Sequence, residues 1–435
     1  MPLRLPHAFA ALQHRDYRLL WIGQFVSMLG VQMQTVALSW LVYDLTGSEA
    51  QLGGIALARA LPTIVLSLFG GTLADQVDRR RLLIVTQSTA ALLLTLLALA
   101  VSAGWTSMPL LYAFALATSS AMAFDSPARQ ALIPALVPRE RLANALTLNV
   151  LAFDTAAVLG PSIGGFLIGW FGTAAAFWVN AGTYLVVVMV LLLMRARVAP
   201  PAPIRRGWAG FLDGLAFVRE RPILWQLMLL DFFATLLVSS IGLLPVFAKD
   251  ILRVGPNGLG LLFAAPSAGA IAGSLLFAFL PTPRRPGRVV VLVVVGYGAS
   301  LALFGFARWF PLALALLAIA GSLDAISLAM RHTVRQLATP DAYRGRVGAL
   351  ASVFAAGGPR LGQFQAGLVA SAIGAQWAMV GGGIACVLMA LGSRWWAPNL
   401  WVYRGEELRE QVTTAAGGPA RPTSPDYRTA AGPGK

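Results

Sequence analysis

The sequence predicts an all-α membrane protein: twelve transmembrane helices in two six-helix pseudo-symmetric bundles, with both termini cytoplasmic. Three observations carry this expectation. Apolar residues make up 57% of the 435 and charged residues only 12%, where a soluble globular protein carries about 25% charge. So much apolar surface exceeds the needs of an internal core and must face an apolar solvent. The apolar residues also fall into twelve long continuous runs, each near the ~20 residues that a spanning helix needs, rather than the short alternating strands of a barrel. Finally, the basic residues collect on one side of those runs.

The runs are 19–43, 50–73, 82–104, 109–126, 144–170, 174–194, 222–248, 258–281, 289–307, 311–331, 346–373 and 377–397. The first is too long for a cleaved signal peptide and another span follows it directly. With the N-terminus inside, 28 of the 33 basic residues lie in inner segments, Lys249, Arg253 and Arg308 lie outside, and Arg59 and Arg360 fall within spans. This is the positive-inside pattern with an even helix count. It accounts for the net charge of +15 through membrane anchoring, so no nucleic-acid partner is expected.

The expected organisation is a cytoplasmic segment 1–18, a first bundle 19–198, a linker 199–221, a second bundle 222–397 and a cytoplasmic, disordered tail 398–435. Within the linker, Trp208, Phe211, Leu212, Leu215 and Val218 recur at helical spacing, the pattern of an amphipathic helix lying at the membrane surface. The tail is polar and rich in Pro and Gly, a composition that does not bury a core.

Chemistry that the chain lacks narrows its function. Cys386 is the one cysteine, and the three histidines His7, His14 and His332 sit in tails or at membrane borders. Neither a disulfide, a metal cluster nor a paired nucleophile and base is expected. The two lysines, Lys249 and Lys435, lie outside any G-x-x-x-x-G-K-[ST] sequence, so no ATP site is expected in the chain. An enzyme is therefore disfavoured, and no cofactor is expected.

The halves resemble each other. "RQALIPALVPRERLANAL" before span five parallels "RQLATPDAYRGRVGAL" before span eleven, and "LGPSIGG" (159–165) parallels "GGPRLGQ" (357–363). Two six-helix repeats are an arrangement of secondary transporters.

The loop after span two reads Gly71-Thr72-Leu73-Ala74-Asp75-Gln76-Val77-Asp78-Arg79-Arg80-Arg81. It resembles the G-x-L-a-D-r-x-G-r-[KR] signature of the major facilitator superfamily, departing at Asp78 where that pattern usually has glycine. The D-x-x-D-R-R form, "RLLWIGQFVSMLG" in span one and "FDSPARQALIPALVP" after span four resemble a bacterial branch that includes enterobactin-exporter-like proteins. The resemblance implies that Gly71, Asp75 and Arg79, with Asp125 and the nearby Arg129, form a latch for the outward-open state. Gly160-Pro161-x-x-Gly164-Gly165 in span five resembles part of the antiporter signature of drug–proton exporters, with Ala156 in place of an upstream glycine. By spacing, Ala152, Ala156, Gly160 and Gly164 form one small-residue stripe, and Ala265, Gly269 and Gly273 form another in span eight. Such stripes let helix backbones meet closely, so spans five and eight are expected to pack through them.

Ionisable residues within spans are costly and mark function. Arg59, Asp154 and Arg360 fall near mid-depth, while Asp231 and Asp324 lie ~10–14 Å from the inner face at ~1.5 Å rise per residue. The resemblance places spans seven and ten on the central path, where Asp231 and Asp324 would meet. Two permanently charged arginines against three acids leave at least one carboxyl without a buried arginine. Arg59 or Arg360 is expected to pair with Asp154, and Asp231 or Asp324 to carry protons. Gln24 and Thr35, beside Met28, suit a permissive cavity.

The function that follows is secondary transport in the bacterial inner membrane. A monomer in the lipid bilayer is expected to export a small-molecule substrate by alternating access, driven by protons. Import of a small metabolite and a non-transporting receptor are the alternatives.

Overall fold

Helix occupies most of each of the twelve apolar runs in the computed structural model, which describes residues 7–74, 77–195, 208–279, 283, 285–340 and 343–403. A short 3-10 turn, His7–Gln13, leads into α1 Arg15–Thr46, α2 Glu49–Ala74, α3 Arg79–Ser102, α4 Met108–Leu136, α5 Arg139–Phe171 and α6 Thr173–Leu193. A helix in the linker, α7 Trp208–Glu220, precedes α8 Pro222–Leu237, α9 Ser240–Val246 and a π-helical turn Phe247–Ile251. Then follow α10 Gly255–Phe279, α11 Pro286–Phe306, α12 Phe310–Ala338, α13 Arg344–Ile373, α14 Ala375–Trp396 and α15 Pro398–Val402. Among the described residues nine helical segments are long and apolar enough to cross a membrane. They are α1, α3, α5, α6, the run Pro222–Ile251, α10, α11, α12 and α14; α2, α4 and α13 pack among them.

Local chemistry sets the helix ends. Gly47, with φ 59°, caps α1 through its N–H to the Tyr43 carbonyl. Single glycines with positive φ, Gly172 at 81° and Gly374 at 85°, turn α5 into α6 and α13 into α14. Their N–H groups bond Ile168 and Ala370, which satisfies the last carbonyls of each helix. The helices outrun the apolar windows: α4 continues ten residues beyond 126, and α12 seven beyond 331. Hydropathy ends where charge begins, but backbone hydrogen bonding does not.

The helices bury one side and leave the other apolar. On α3, Val85, Leu92, Leu96 and Leu99 repeat at helical spacing and are half or more exposed. Leu185, Met189 and Leu192 do the same on α6, and Leu292 and Leu303 on α11. Such continuous apolar stripes fit hydrocarbon, not water.

The repeat read in the sequence is present in the packing. In the first half α1 packs on α5 and α6, α3 on α4 and α6, and α2 on α4. In the second, α8 packs on α13 and α14, α11 on α12 and α14, and α10 on α12, the same five pairings shifted by one half. The main joints between halves are also reciprocal, α5 with α10 and α2 with α13. The linker helix docks on the second half. Val218 is buried with Leu224, Val347 and Leu350, and Phe217 stacks on Tyr343 at 4.3 Å. The side chains of Trp208, Phe211 and Leu212 lie outside the described residues, as does nearly all of the tail.

Span seven was expected to be continuous over 222–248. It breaks at Val238, which is extended, and Ser239, both non-helical, between α8 and α9. The interruption is absorbed by neighbours: the Tyr297 hydroxyl donates to the Val238 carbonyl at 3.3 Å, and Ser239 Oγ to the Pro359 carbonyl at 3.4 Å. Irregular backbone inside a membrane protein is tolerated where protein groups or a wet cavity satisfy it.

Candidate functional site

The halves meet tightly at the end opposite the arginine-rich loops. A Cβ on Gly165 of α5 would lie 2.6 Å from the Pro256 carbonyl oxygen and 2.8 Å from Gly260 Cα of α10. A Cβ on Gly367 of α13 would lie 2.6 Å from the Glu49 carbonyl oxygen and 2.8 Å from Gly53 Cα of α2. Both crossings are thus glycine on glycine, backbone to backbone. Beside them, Lys249 Nζ meets Asp44 Oδ1 at 2.6 Å, and the Tyr43 hydroxyl donates to the Asp250 carboxylate.

Toward the basic end this contact is lost. In its outer half α5 buries two faces, Ala156, Gly160 and Gly164 on one and Ala157, Pro161, Gly165 and Ile168 on the other. Nearer the basic end it buries only Ala145, Leu148 and Ala152. α10 is buried continuously from Leu262 to Ala265, then only at Gly269 and Gly273. α5 and α10 are therefore packed at one end and more exposed towards the other.

Two expectations about the small stripes are corrected. Gly160 and Gly164 do not face α10. A Cβ on Gly160 would lie 2.6 Å from Gln32 Cβ, and one on Gly164 2.9 Å from Met33 Cα, both on α1. The α10 glycines Gly269 and Gly273 meet Ala318 and Ser322 of α12. Only Pro161 and Gly165 of the motif reach α10. The stripes hold helices within a half, and the joint between halves sits one residue around the helix. The repeat-related Gly358 and Gly362 pack likewise on α8, at Thr235 and Leu236.

The in-span acids are also arranged differently from expectation. Asp231 on α8 and Asp324 on α12 do come together, but around Arg331, whose guanidinium lies 2.6 Å from Asp231 and 3.8 Å from Asp324. Arg331 is buried within α12 although it reads as a loop cation. Neither acid is thus without a buried arginine. The Asp324–Arg331 spacing of seven was the available signal, since residues i and i+7 share a helix face. Asp231, Arg331, His332, Arg335 and Ser352 line a cavity of ≈ 280 Å³ between α8, α12 and α13.

At mid-depth, Arg59 donates to Thr35 Oγ1 of α1 at 3.4 Å. The expected pairing with Asp154 does not form: among the described residues neither Arg59 nor Arg360 makes an ion pair, and Asp154 makes none. Gln24, read as cavity-lining, is buried and donates to Asn149 Oδ1 of α5 at 2.8 Å; it joins two helices instead.

At the basic end, Asp125 is buried, ion-paired to Arg129 one turn on, and accepts from Gln87 Nε2 at 2.6 Å and Thr86 Oγ1 at 3.3 Å. Gly71 lies in the last turns of α2 and Arg79 opens α3, but Asp75 lies outside the described residues. Asp78, the departure from the superfamily pattern, is the N-cap of α3 and accepts from the N–H groups of Arg80 and Arg81. Arg80 in turn donates to the Leu191 and Leu192 carbonyls, capping the end of α6 where cations are favoured.

A multi-pass, two-bundle helical fold with buried ion pairs and a one-ended seam defines a membrane transporter. The chain belongs to the family described as transmembrane secretion effector, within the major facilitator superfamily, whose profile matches residues 6–399. It is similar to the enterobactin exporter EntS of Shigella boydii serotype 18, 28% identical over 78% of this chain and 81% of that protein. EntS of Escherichia coli O139:H28 is 27% identical over the same shares. Among solved structures, a bacterial homologue of the human lysosomal transporter Spinster, inward-facing and unoccupied, aligns with TM-score 0.66 and 17% identity. That alignment covers 89% of this chain and 97% of the other. Nucleoside transporter NupG aligns with TM-score 0.68 and 15% identity over 90% and 100%.

Proposed function

We propose that the protein is a proton-driven exporter of a small molecule in the bacterial inner membrane, working by alternating access between two six-helix halves with both termini cytoplasmic. The observation that carries this reading is the one-ended seam. Gly165 against Gly260 and Gly367 against Gly53 close the side opposite the arginine-rich loops, while α5 and α10 each bury a second face only at that end. With the basic loops cytoplasmic, this is an inward-open arrangement, loaded from the cytoplasm. Export is supported by the relatives' naming as exporters. In the outward-open state Asp75, Arg79 and Asp125 would latch the basic end.

The coupling element is the Asp231–Arg331–Asp324 group. One guanidinium shared by two carboxylates leaves Asp324, at 3.8 Å and half exposed, as the acid free to exchange its partner for a proton. Inverted-repeat transporters place such sites near the repeat interface, often beside broken helices, and α8 breaks two turns beyond Asp231. The test is uphill flux in proteoliposomes, with a library of candidate substrates and an imposed proton gradient. Accumulation that collapses with a protonophore supports the reading; flux indifferent to the gradient refutes proton drive.

A further inference from the structure

Resting on the transporter reading, we propose that Arg59 and Arg360 together form an anion-binding site on the central path, so that the transported molecule carries carboxylate or phosphate. Other ionised groups within the helices have an opposite charge against them. Asp125 has Arg129, and Asp231 has Arg331. Like Asp154, Arg59 and Arg360 are half-buried and make no ion pair among the described residues, and the two arginines stand six and seven residues inward of Gly53 and Gly367, where α2 crosses α13.

Arginine does not shed its proton to escape such a position, and an uncompensated charge away from water is costly. Two like charges at one place raise that cost. A chain that needed only packing there would carry neutral side chains. The pair is relieved when an anion enters between them, and guanidinium groups suit the planar, multi-oxygen geometry of carboxylate and phosphate.

The positions place the pair beside the joint between the halves. Arg360, Phe364 and Gly367 stand at i, i+4 and i+7, one face of α13, and Phe364 and Gly367 meet Gly53 of α2. Arg360 thus continues the inter-half face one turn towards the open side. Arg59 reaches from α2 to Thr35 of α1. Pro359, next to Arg360, accepts from Ser239 in the break between α8 and α9. One helix of each half therefore presents an arginine beside the joint that opens and closes, and the anion would bridge the halves.

The test uses the purified full-length protein in detergent, read by its thermal midpoint at constant ionic strength. Citrate probes the carboxylate source and inorganic phosphate the phosphate source; glucose and tetraethylammonium are the neutral and cationic controls. A saturable rise with citrate or phosphate alone is expected, with affinity weakened ~10-fold or more in Arg59→Gln and Arg360→Gln. Arg360→Lys should keep part of the response, and Arg81→Gln all of it. Without ligand, Arg59→Gln and Arg360→Gln should unfold at higher temperature than the parent, because they remove repulsion. No saturable response to either anion, an undiminished response in the double Gln variant, or an equal loss in Arg81→Gln would each overturn the assignment. Because the readout is binding, its failure is distinct from a failure of gradient-driven flux.

Discussion

Arg331 serves two carboxylates with one guanidinium, and that imbalance sets what each substitution should do. Arg331→Met leaves Asp231 and Asp324 without the guanidinium between them, with only Arg335 in the same cavity, and breaking a buried pair in this way costs roughly 3–5 kcal/mol. A fall of many degrees in the thermal midpoint is expected, with little folded protein recovered. Asp324→Asn removes only the more distant and more exposed partner, so the protein should fold normally. Its expected defect is in coupling: proton-driven uphill flux lost, substrate exchange retained. Full uphill flux in Asp324→Asn would show that the acid is structural. Asp78→Ala tests a different residue role. It removes the N-cap of α3 and should cost about 1 kcal/mol, seen as a small drop in midpoint with no change in substrate affinity.

At the scale of helices, glycines close together in sequence are expected to behave differently because they face different partners. Gly160→Leu would force α1 and α5 apart inside the first half and should reduce stability. Gly165→Leu pushes on Gly260 across the joint, so each half should fold while the outer closure fails. A cysteine introduced at Thr35 reports this difference, because Cys386 is fully buried and contributes no background. In Gly165→Leu, labelling from the side opposite the basic loops should rise above that of the parent; unchanged labelling would mean that the crossing does not seal that side. The helices and their repeat were legible from apolar run length, basic-loop placement and the recurring G-P step. What was not legible was partner choice. Small-xxx-small spacing announces a close approach but not to which helix, and Gly160 and Gly164 meet α1, not α10. The break at Val238 and Ser239 has no proline or glycine to announce it. Arg331 looked like an anchor because hydropathy ends before the helix does. Asp78 had the chemistry of a cap, but beside a familiar loop pattern it registered only as a departure.

For the molecule as a whole, the alternating-access reading makes the balance between two shapes rest on the few contacts that join the halves among the described residues. The glycine crossings supply close packing but no charge, and Lys249–Asp44 and Tyr43–Asp250 are the polar contacts beside them. The lysine pair is exposed, and an exposed ion pair contributes about 0.2–1 kcal/mol. Lys249→Ala should therefore shift the population of the closed outer side by no more than ~5-fold, measurable as a modest gain in labelling at Thr35→Cys. A complete switch to the outward-open form would mean that this pair carries far more than its exposure allows. The same exposure ties the resting shape to the surroundings. Mobile ions screen such a pair over a Debye length of about 8 Å at physiological ionic strength and about 3 Å at 1 M, so brine outside the cell loosens the clasp while the greasy crossings beneath it hold. On the alternating-access reading, a cell moved from fresh to salty water would hold this protein more often with its mouth to the exterior.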